Sequence, residues 1–194
     1  MTAPIRRRSR AREIAMQVLF QFDVRGGQYA DELGSSVGDL CLRELQDAAT
    51  ERQTSPTELT PPTDENARIS KNDRELVAFA SRLVEGTLGK REDIDKRLQL
   101  AARNWDLRRM AAVDRNVLRM AVYELMFCDD VPPKVAINEA IEIGKKFSTA
   151  NSGGFVNGIL DRIRIEIENS ASSPTQQPVG PTPSASEATA EPSD

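Results

Sequence analysis

Histidine is absent from the 194-residue chain. That excludes a Ser-His-Asp or Cys-His triad and any zinc held by imidazole. There are two cysteines, Cys41 and Cys128, far apart and outside any C-x-x-C pattern. Both fall in apolar helical stretches, which predicts buried free thiols rather than a disulfide or a metal site. No apolar run approaches the roughly 20 residues that span a bilayer. The N-terminal arginines are not followed by the apolar segment of a secretory signal, so the expectation is a cytoplasmic protein with no membrane contact. Neither G-x-x-x-x-G-K-[ST] nor a strand-linked G-x-G-x-x-G occurs. Carboxylates and lysines are present, but no pairing of them stands out. Little here supports an enzyme, and no cofactor is implied.

Charge is plentiful and unevenly placed. Residues 1–12 contain five arginines (Arg6, Arg7, Arg8, Arg10 and Arg12) and no acid, in a chain whose net charge is −4. A basic head on an acidic body points to a polyanion site at one end. The arginines lie at the start of the first helical pattern and just ahead of it, where they add to the positive end of the helix dipole. Two readings are open: a solvated arm, or an arm that binds an anion or nucleic acid.

Apolar residues recur at spacings of three and four, and nothing suggests a sheet. Ile14, Val18, Leu19 and Phe22 predict a first helix over Ser9–Val24, ended by Gly26 and Gly27. A second follows through Leu33, Val37, Leu40, Cys41 and Leu45. Residues 50–68, with three prolines, predict a flexible loop. A third helix carries Leu76, Ala80, Leu83, Val84 and Leu88, with Ser70 or Asn72 as cap. Ile94, Leu98 and Ala101 mark a shorter one. "RNWDLRRM" is a connector whose Trp105 is expected to plug the core edge. Val117, Leu118, Ala121, Val122 and Leu125 mark the next helix, which "DDVPP" breaks. Pro133 suits the first turn of its successor. The last helix runs from Gly153 to Ile167. The expectation is an all-α bundle of about seven helices, in two sub-bundles split near the 50–68 loop. One helical domain covers 1–169, and 170–194 is a disordered Pro/Ser/Thr-rich tail.

"KFSTANSGGFVNGILDRI" poses the functional question. The buried stripe of the last helix passes through Val156, Ile159, Leu160, Ile163 and Ile167. Phe155 sits about 100° off Val156 at 3.6 residues per turn. It is either a satellite core residue or an aromatic set beside a helix start. Such a start offers free N–H groups and partial positive charge to phosphate. There an aromatic can stack on an unpaired base, for roughly 1–3 kcal/mol. Lys145 and Lys146 either complement a helix C-terminus or widen the basic surface. Asn138 and Glu139 suit helix packing.

"RSRAREIAMQVLFQFD", "VLRMAVYEL" and "VPPKVAINEAIEIGKKFSTANSGGFVNGILDRI" together resemble the NusB family of bacterial transcription antitermination factors. The specific match is P-x-K-V-A-I-N-E-A-I-E, a polar turn, then F-V-N-G-x-L, and the resemblance covers most of 8–169. It implies an all-α, non-catalytic protein that pairs with NusE, a small-subunit ribosomal protein. The pair binds boxA, a single-stranded element of ribosomal RNA transcripts, and joins NusA, NusG and RNA polymerase so that terminators are read through. The resemblance assigns RNA contacts to Arg8, Arg10 and Arg12, with Arg6 and Arg7 upstream, and to Asn151, Ser152, Gly153 and Phe155. It assigns Phe20 and Asp114 to the NusE-facing surface. Ser9 stands where the family has an arginine, and Asn151 where it has an acid. Some members form homodimers, and an interaction module or homodimer acting in ribosomal RNA processing or ribosome assembly is the alternative. Some ribosomal RNA cytosine methyltransferases carry a NusB-like module ahead of a cofactor-binding domain. No such domain is expected here.

Five arginines neutralise at most about five phosphates. The log–log dependence of single-stranded RNA affinity on salt should therefore be no steeper than about −3.5. A titration of binding against ionic strength checks this.

Overall fold

The buried stripe Ala11, Ile14, Ala15, Val18, Leu19 and Phe22 makes one face of helix α1 (Ala3–Arg25) the spine of the molecule. The computed structural model describes residues 3–26, 36–52, 70–102, 105–149 and 151–172, with seven α-helices and no strand among them. α1 begins at Ala3, well before the expected Ser9, so the arginines lie inside the helix rather than ahead of it. Arginine is a good helix former, and this turn has partners on a neighbouring helix. Arg7 lies 4.0 Å from Glu75, and the Arg8 guanidinium stands 5.0 Å from the centre of the Phe79 ring. Gly26 ends α1 at φ 93°, a left-handed conformation that glycine adopts without steric cost.

Helices α2 (Val37–Arg52) and α3 (Lys71–Gly89) open on the same device. Ser36 Oγ accepts from the Asp39 N–H at 3.2 Å while the Asp39 carboxylate accepts from the Ser36 N–H at 3.0 Å. Ser70 Oγ likewise accepts from the Asp73 N–H at 3.1 Å. Each hydroxyl satisfies a donor that the helix leaves free. α2 runs through Arg52, past the expected start of the loop. The remainder of that loop, the start predicted for the second helix, and residues 173–194 of the expected tail lie outside the described residues.

The chain continues through α4 (Arg91–Ala101), a 3₁₀ turn (Leu107–Arg109), α5 (Ala112–Phe127), α6 (Pro133–Phe147) and α7 (Ser152–Ser172). α7 passes the expected end at Ile167, and the Ser170 hydroxyl donates to the Glu166 carbonyl at 2.8 Å. The first residues assigned to the tail are thus helical. Trp105 does not plug the core: it is 58% exposed. Leu107 and Met110 fill the interior positions of that connector, and Trp105 rests against Phe155 instead.

α1, α2 and α3 pack on one another, α4 to α7 form the second group, and α1 and α3 both lie against α5. Because α2 and α3 touch directly, the sub-bundles do not divide at the 50–68 segment as the spacing suggested. They meet at Gly89–Lys90, and one apolar core runs through both. At Gly86 the α3 backbone lies under the Tyr123 ring of α5, where a Cβ would come within 2.0 Å of Cζ.

Two buried ionic clusters tie α1 to α5. Near one end, the Arg12 guanidinium donates to both oxygens of Glu124, and the two side chains are 2% and 1% exposed. Glu139 of α6 stands 3.9 Å from the same guanidinium and accepts from Ser9 Oγ at 2.8 Å. Near the other end, Asp23 accepts from Arg115, from Arg119 at 2.9 Å and from Asn116 at 3.2 Å, and Arg119 also holds Asp95 of α4 at 2.7 Å. Burial pushes the Asp23 carboxyl up, but hydrogen bonds from Arg115 and Arg119 outweigh it and hold it below its ordinary value. For Glu124 the balance reverses: burial outweighs Arg12, and the carboxyl lies above its ordinary value.

Glu124→Gln removes the carboxylate that takes both Arg12 donors, leaving the buried guanidinium only Glu139 at 3.9 Å, and should cost roughly 3–5 kcal/mol in urea unfolding. The double variant Arg12→Met/Glu124→Leu, which removes both charges, should recover most of that loss.

Candidate nucleic-acid interface

The first turns of α1 carry the basic head, but its arginines are not equivalent. Arg7 and Arg8 are the open ones, with side chains 39% and 51% exposed. Arg10 is drawn back to Glu13 at 2.7 Å. Arg6 lies within α1, and its side chain is outside the described part. Arg12 departs from the expectation. Its guanidinium is enclosed by Glu124, Glu139 and the Phe79 ring, so it offers no charge to a ligand in solution. A residue five positions after Arg7 faces inward because α1 needs its apolar stripe and this arginine on the side that meets α5.

The turn between α6 and α7 also separates into outward and inward residues. Ser152 is buried: its hydroxyl accepts from the Thr149 N–H at 3.1 Å and donates to Asp114 Oδ2 at 3.2 Å. Its side chain builds the turn and does not face solvent. Gly153 is also buried, under the stem of Lys145, where a Cβ would meet Cε at 3.0 Å. Asn151 and Gly154 face outward, and Phe155 is half-buried. Phe155 packs against the core on one side and makes an edge-to-face contact with Trp105 on another, ring centres 5.2 Å apart.

Lys145 and Lys146 connect the two regions. Glu13 of α1 accepts from Arg10 on one side and from Lys146 at 2.6 Å on the other. Burial alone would raise the Glu13 carboxyl, but hydrogen bonds from Lys146 and Arg10 outweigh it and hold it below its ordinary value. Lys145, next in the chain, covers Gly153. Arg10 and Glu13 of α1, the end of α6 and the start of α7 therefore share one edge, while Arg7 and Arg8 turn toward α3, beside Glu75, Phe79 and Asp130. Sequence spacing left the lysines between two roles. In the fold Lys146 is held by Glu13, one helix away, a partner that only folding reveals.

A second region flanks this edge. Phe20, Met16 and Leu40 with Val113 and Phe147 line an open groove of about 650 Å³ between α1, α2 and the α5–α6 side. Asp114 lies next to Val113 but does not project as a free charge. It is 8% exposed, one oxygen is held by Ser152, and the other is buried without a partner. The expected partner-facing residues thus differ: Phe20 lines a groove, while Asp114 joins the start of α5 to the start of α7.

Other chemistry is sparse among the described residues. No cluster of acidic or cysteine side chains could hold a metal ion, and no helix is long and apolar enough to cross a membrane. Cys41 and Cys128 are buried and unpaired, and burial pushes the Cys41 thiol up to about 11, which leaves it unreactive.

The fold is an all-helical bundle that sets basic and aromatic side chains along one edge. Residues 9–164 match the description "NusB family", and the chain is a member of that family. Transcription antitermination protein NusB of Desulfosudis oleivorans is 37% identical over 163 residues, which is 84% of this chain and 88% of that one. Among solved structures, NusB of T. maritima is 33% identical, with a TM-score of 0.59 and coverage of 82% of this chain and 91% of that one. A complex of antitermination factors NusB and NusE with dsRNA is 24% identical, TM-score 0.59, covering 83% and 98%, and shows the likeness of fold.

Ser152→Ala should leave the Asp114 carboxylate without its one partner and cost roughly 1–3 kcal/mol in chemical denaturation. Ser152→Thr, which keeps the hydroxyl, should cost less.

Proposed function

We propose that the chain is a non-enzymatic transcription antitermination factor. In this reading it binds boxA-type single-stranded RNA of ribosomal RNA transcripts together with NusE. Within a larger assembly with NusA, NusG and RNA polymerase it helps the polymerase pass termination signals. The observation that carries the reading is the shared edge: Arg10 on α1, Lys146 bound to the same Glu13 as Arg10, and Lys145 over the glycine turn that leads to Phe155. The edge offers phosphate-binding cations at one end and a half-buried aromatic at the other. An unpaired strand needs both, since cations follow its backbone and an aromatic ring takes a base. Family membership and the NusB–NusE–dsRNA fold neighbour add support for RNA and NusE as partners.

RNA contact in this reading belongs to Arg6, Arg7, Arg8, Arg10, Asn151 and Phe155, joined by Lys145 and Lys146, six cations in place of the five arginines, which moves the ceiling of the salt slope to about −4.2. Ser152 and Gly153 act by shaping the turn, and Arg12 by fixing α1. Phe20 and the groove beside it receive NusE. Because so few cations face outward, the chain alone binds weakly, and NusE lengthens the surface that the strand crosses.

Filter binding with a boxA-type RNA tests the proposal. Phe155→Ala should weaken binding about tenfold with little change in salt dependence. Arg8→Ala should flatten the log–log salt slope by about 0.7. Addition of NusE should tighten wild-type binding. Equal affinity with and without NusE, or wild-type affinity in both variants, would overturn the reading.

A further inference from the structure

The α7 face around Phe155 has a feature that packing does not explain. Asn151, Gly154, Phe155 and Gly158 stand at positions i, i+3, i+4 and i+7, so they share a face. Three of them are exposed, and a Cβ added at Gly154 or Gly158 would meet nothing within 4 Å. Neither glycine is required by a close neighbour, and each weakens the helix relative to alanine. Their effect is to leave the surface on both sides of Phe155 bare of side chains.

Trp105 stands at the edge of that bare surface. It is 58% exposed, and its ring meets Phe155 at 5.2 Å with the planes inclined by 64°. Its backbone N–H donates to the Ala102 carbonyl at 2.8 Å, and Arg162 of α7 donates to the neighbouring Ala101 carbonyl at 2.8 Å. These two bonds bring Arg162, an exposed residue, to the same corner as the indole. An open aromatic face, a second ring at its edge, a side-chain-free helix surface and a cation together suit a nucleotide: ring for base, arginine for phosphate.

We propose that Trp105 is a second base-stacking platform, so that the strand held at Phe155 continues over α7 and places a neighbouring unpaired base on the indole, with Arg162 beside its phosphate. This rests on the RNA-binding reading above. Two rings inclined by 64° cannot stack on the same base, so each takes its own and the strand turns between them.

Trp105 is the chain's single tryptophan, which makes its emission a reporter of this position alone. The full chain is titrated with boxA-type single-stranded RNA at low salt. The expected result is quenched emission that saturates together with binding measured by an end-labelled strand. Trp105→Ala should weaken binding about tenfold with the salt slope unchanged, and Trp105→Phe should recover most of the loss. Removing one base at a time from the strand should reveal a position whose loss weakens the wild type but not Trp105→Ala. Should Trp105→Ala fold poorly, the wild-type quench and the base-removal series on Trp105→Leu, which keeps apolar bulk without an aromatic face, still decide. If RNA binds and Phe155→Ala weakens it, while emission and the Trp105 variants are unaffected, the platform is refuted and the RNA reading stands. Emission that responds to NusE alone and not to RNA makes Trp105 a protein contact and refutes the platform. Wild type that binds no RNA even with NusE refutes both.

Discussion

Helix α1 is pinned to α5 at its middle and at its C-terminal end by ion pairs, Arg12 with Glu124 and Asp23 with Arg115 and Arg119. Apolar packing alone leaves a helix free to slide or rotate at small cost, because one aliphatic contact replaces another. A bidentate guanidinium–carboxylate pair does not tolerate this, since a shift breaks directional bonds and strands a charge away from water. Two such anchors set both the depth and the rotation of α1. The open arginines, the Glu13 carboxylate and Phe20 all occupy positions on that one helix, so their directions follow from the anchors. Replacement of such pairs by apolar residues can be neutral for stability. Here their contribution is to orientation, and orientation is what an extended binding edge requires.

Glu13 illustrates how the edge manages its charge. It holds Arg10 and Lys146 together across two helices, bringing cations from residues far apart in the chain to one place. It also neutralises part of what it gathers. A phosphate arriving there competes with a carboxylate already in position, which favours a strand able to offer several contacts over a lone anion. The aromatic end has no such competition. In the proposed reading a base stacked on Phe155 or Trp105 must be unpaired, so affinity at that end would depend on a single strand.

The turn before α7 shows why adjacent residues differ in role. Ser152 and Gly153 are enclosed, one by Asp114 and Thr149, the other by Lys145, while Asn151 and Gly154 face out. A helix start rotates its residues by about 100° per step. Neighbours in the sequence therefore alternate between the scaffold and the surface. The buried Asp114–Ser152 bond makes the start of α5, beside the Phe20 groove, continuous with the start of α7.

Much of this was legible in the residues. Spacings of three and four, Ser70 as a cap, Pro133 at a first turn and the F-V-N-G motif determined the helices, their buried faces and the family, because these depend on local geometry and on apolar periodicity. The sequence also located the basic head and the glycine turn as the two candidate regions. Tertiary structure decided the rest. It turned Arg12 inward onto Glu124, extended α1 and α7 past their expected ends, joined α2 to α3 across the 50–68 segment, and moved Trp105 from the core edge to the surface beside Phe155. Each of these depends on a partner distant in the chain, and a one-dimensional pattern carries no record of which side chain will stand opposite another.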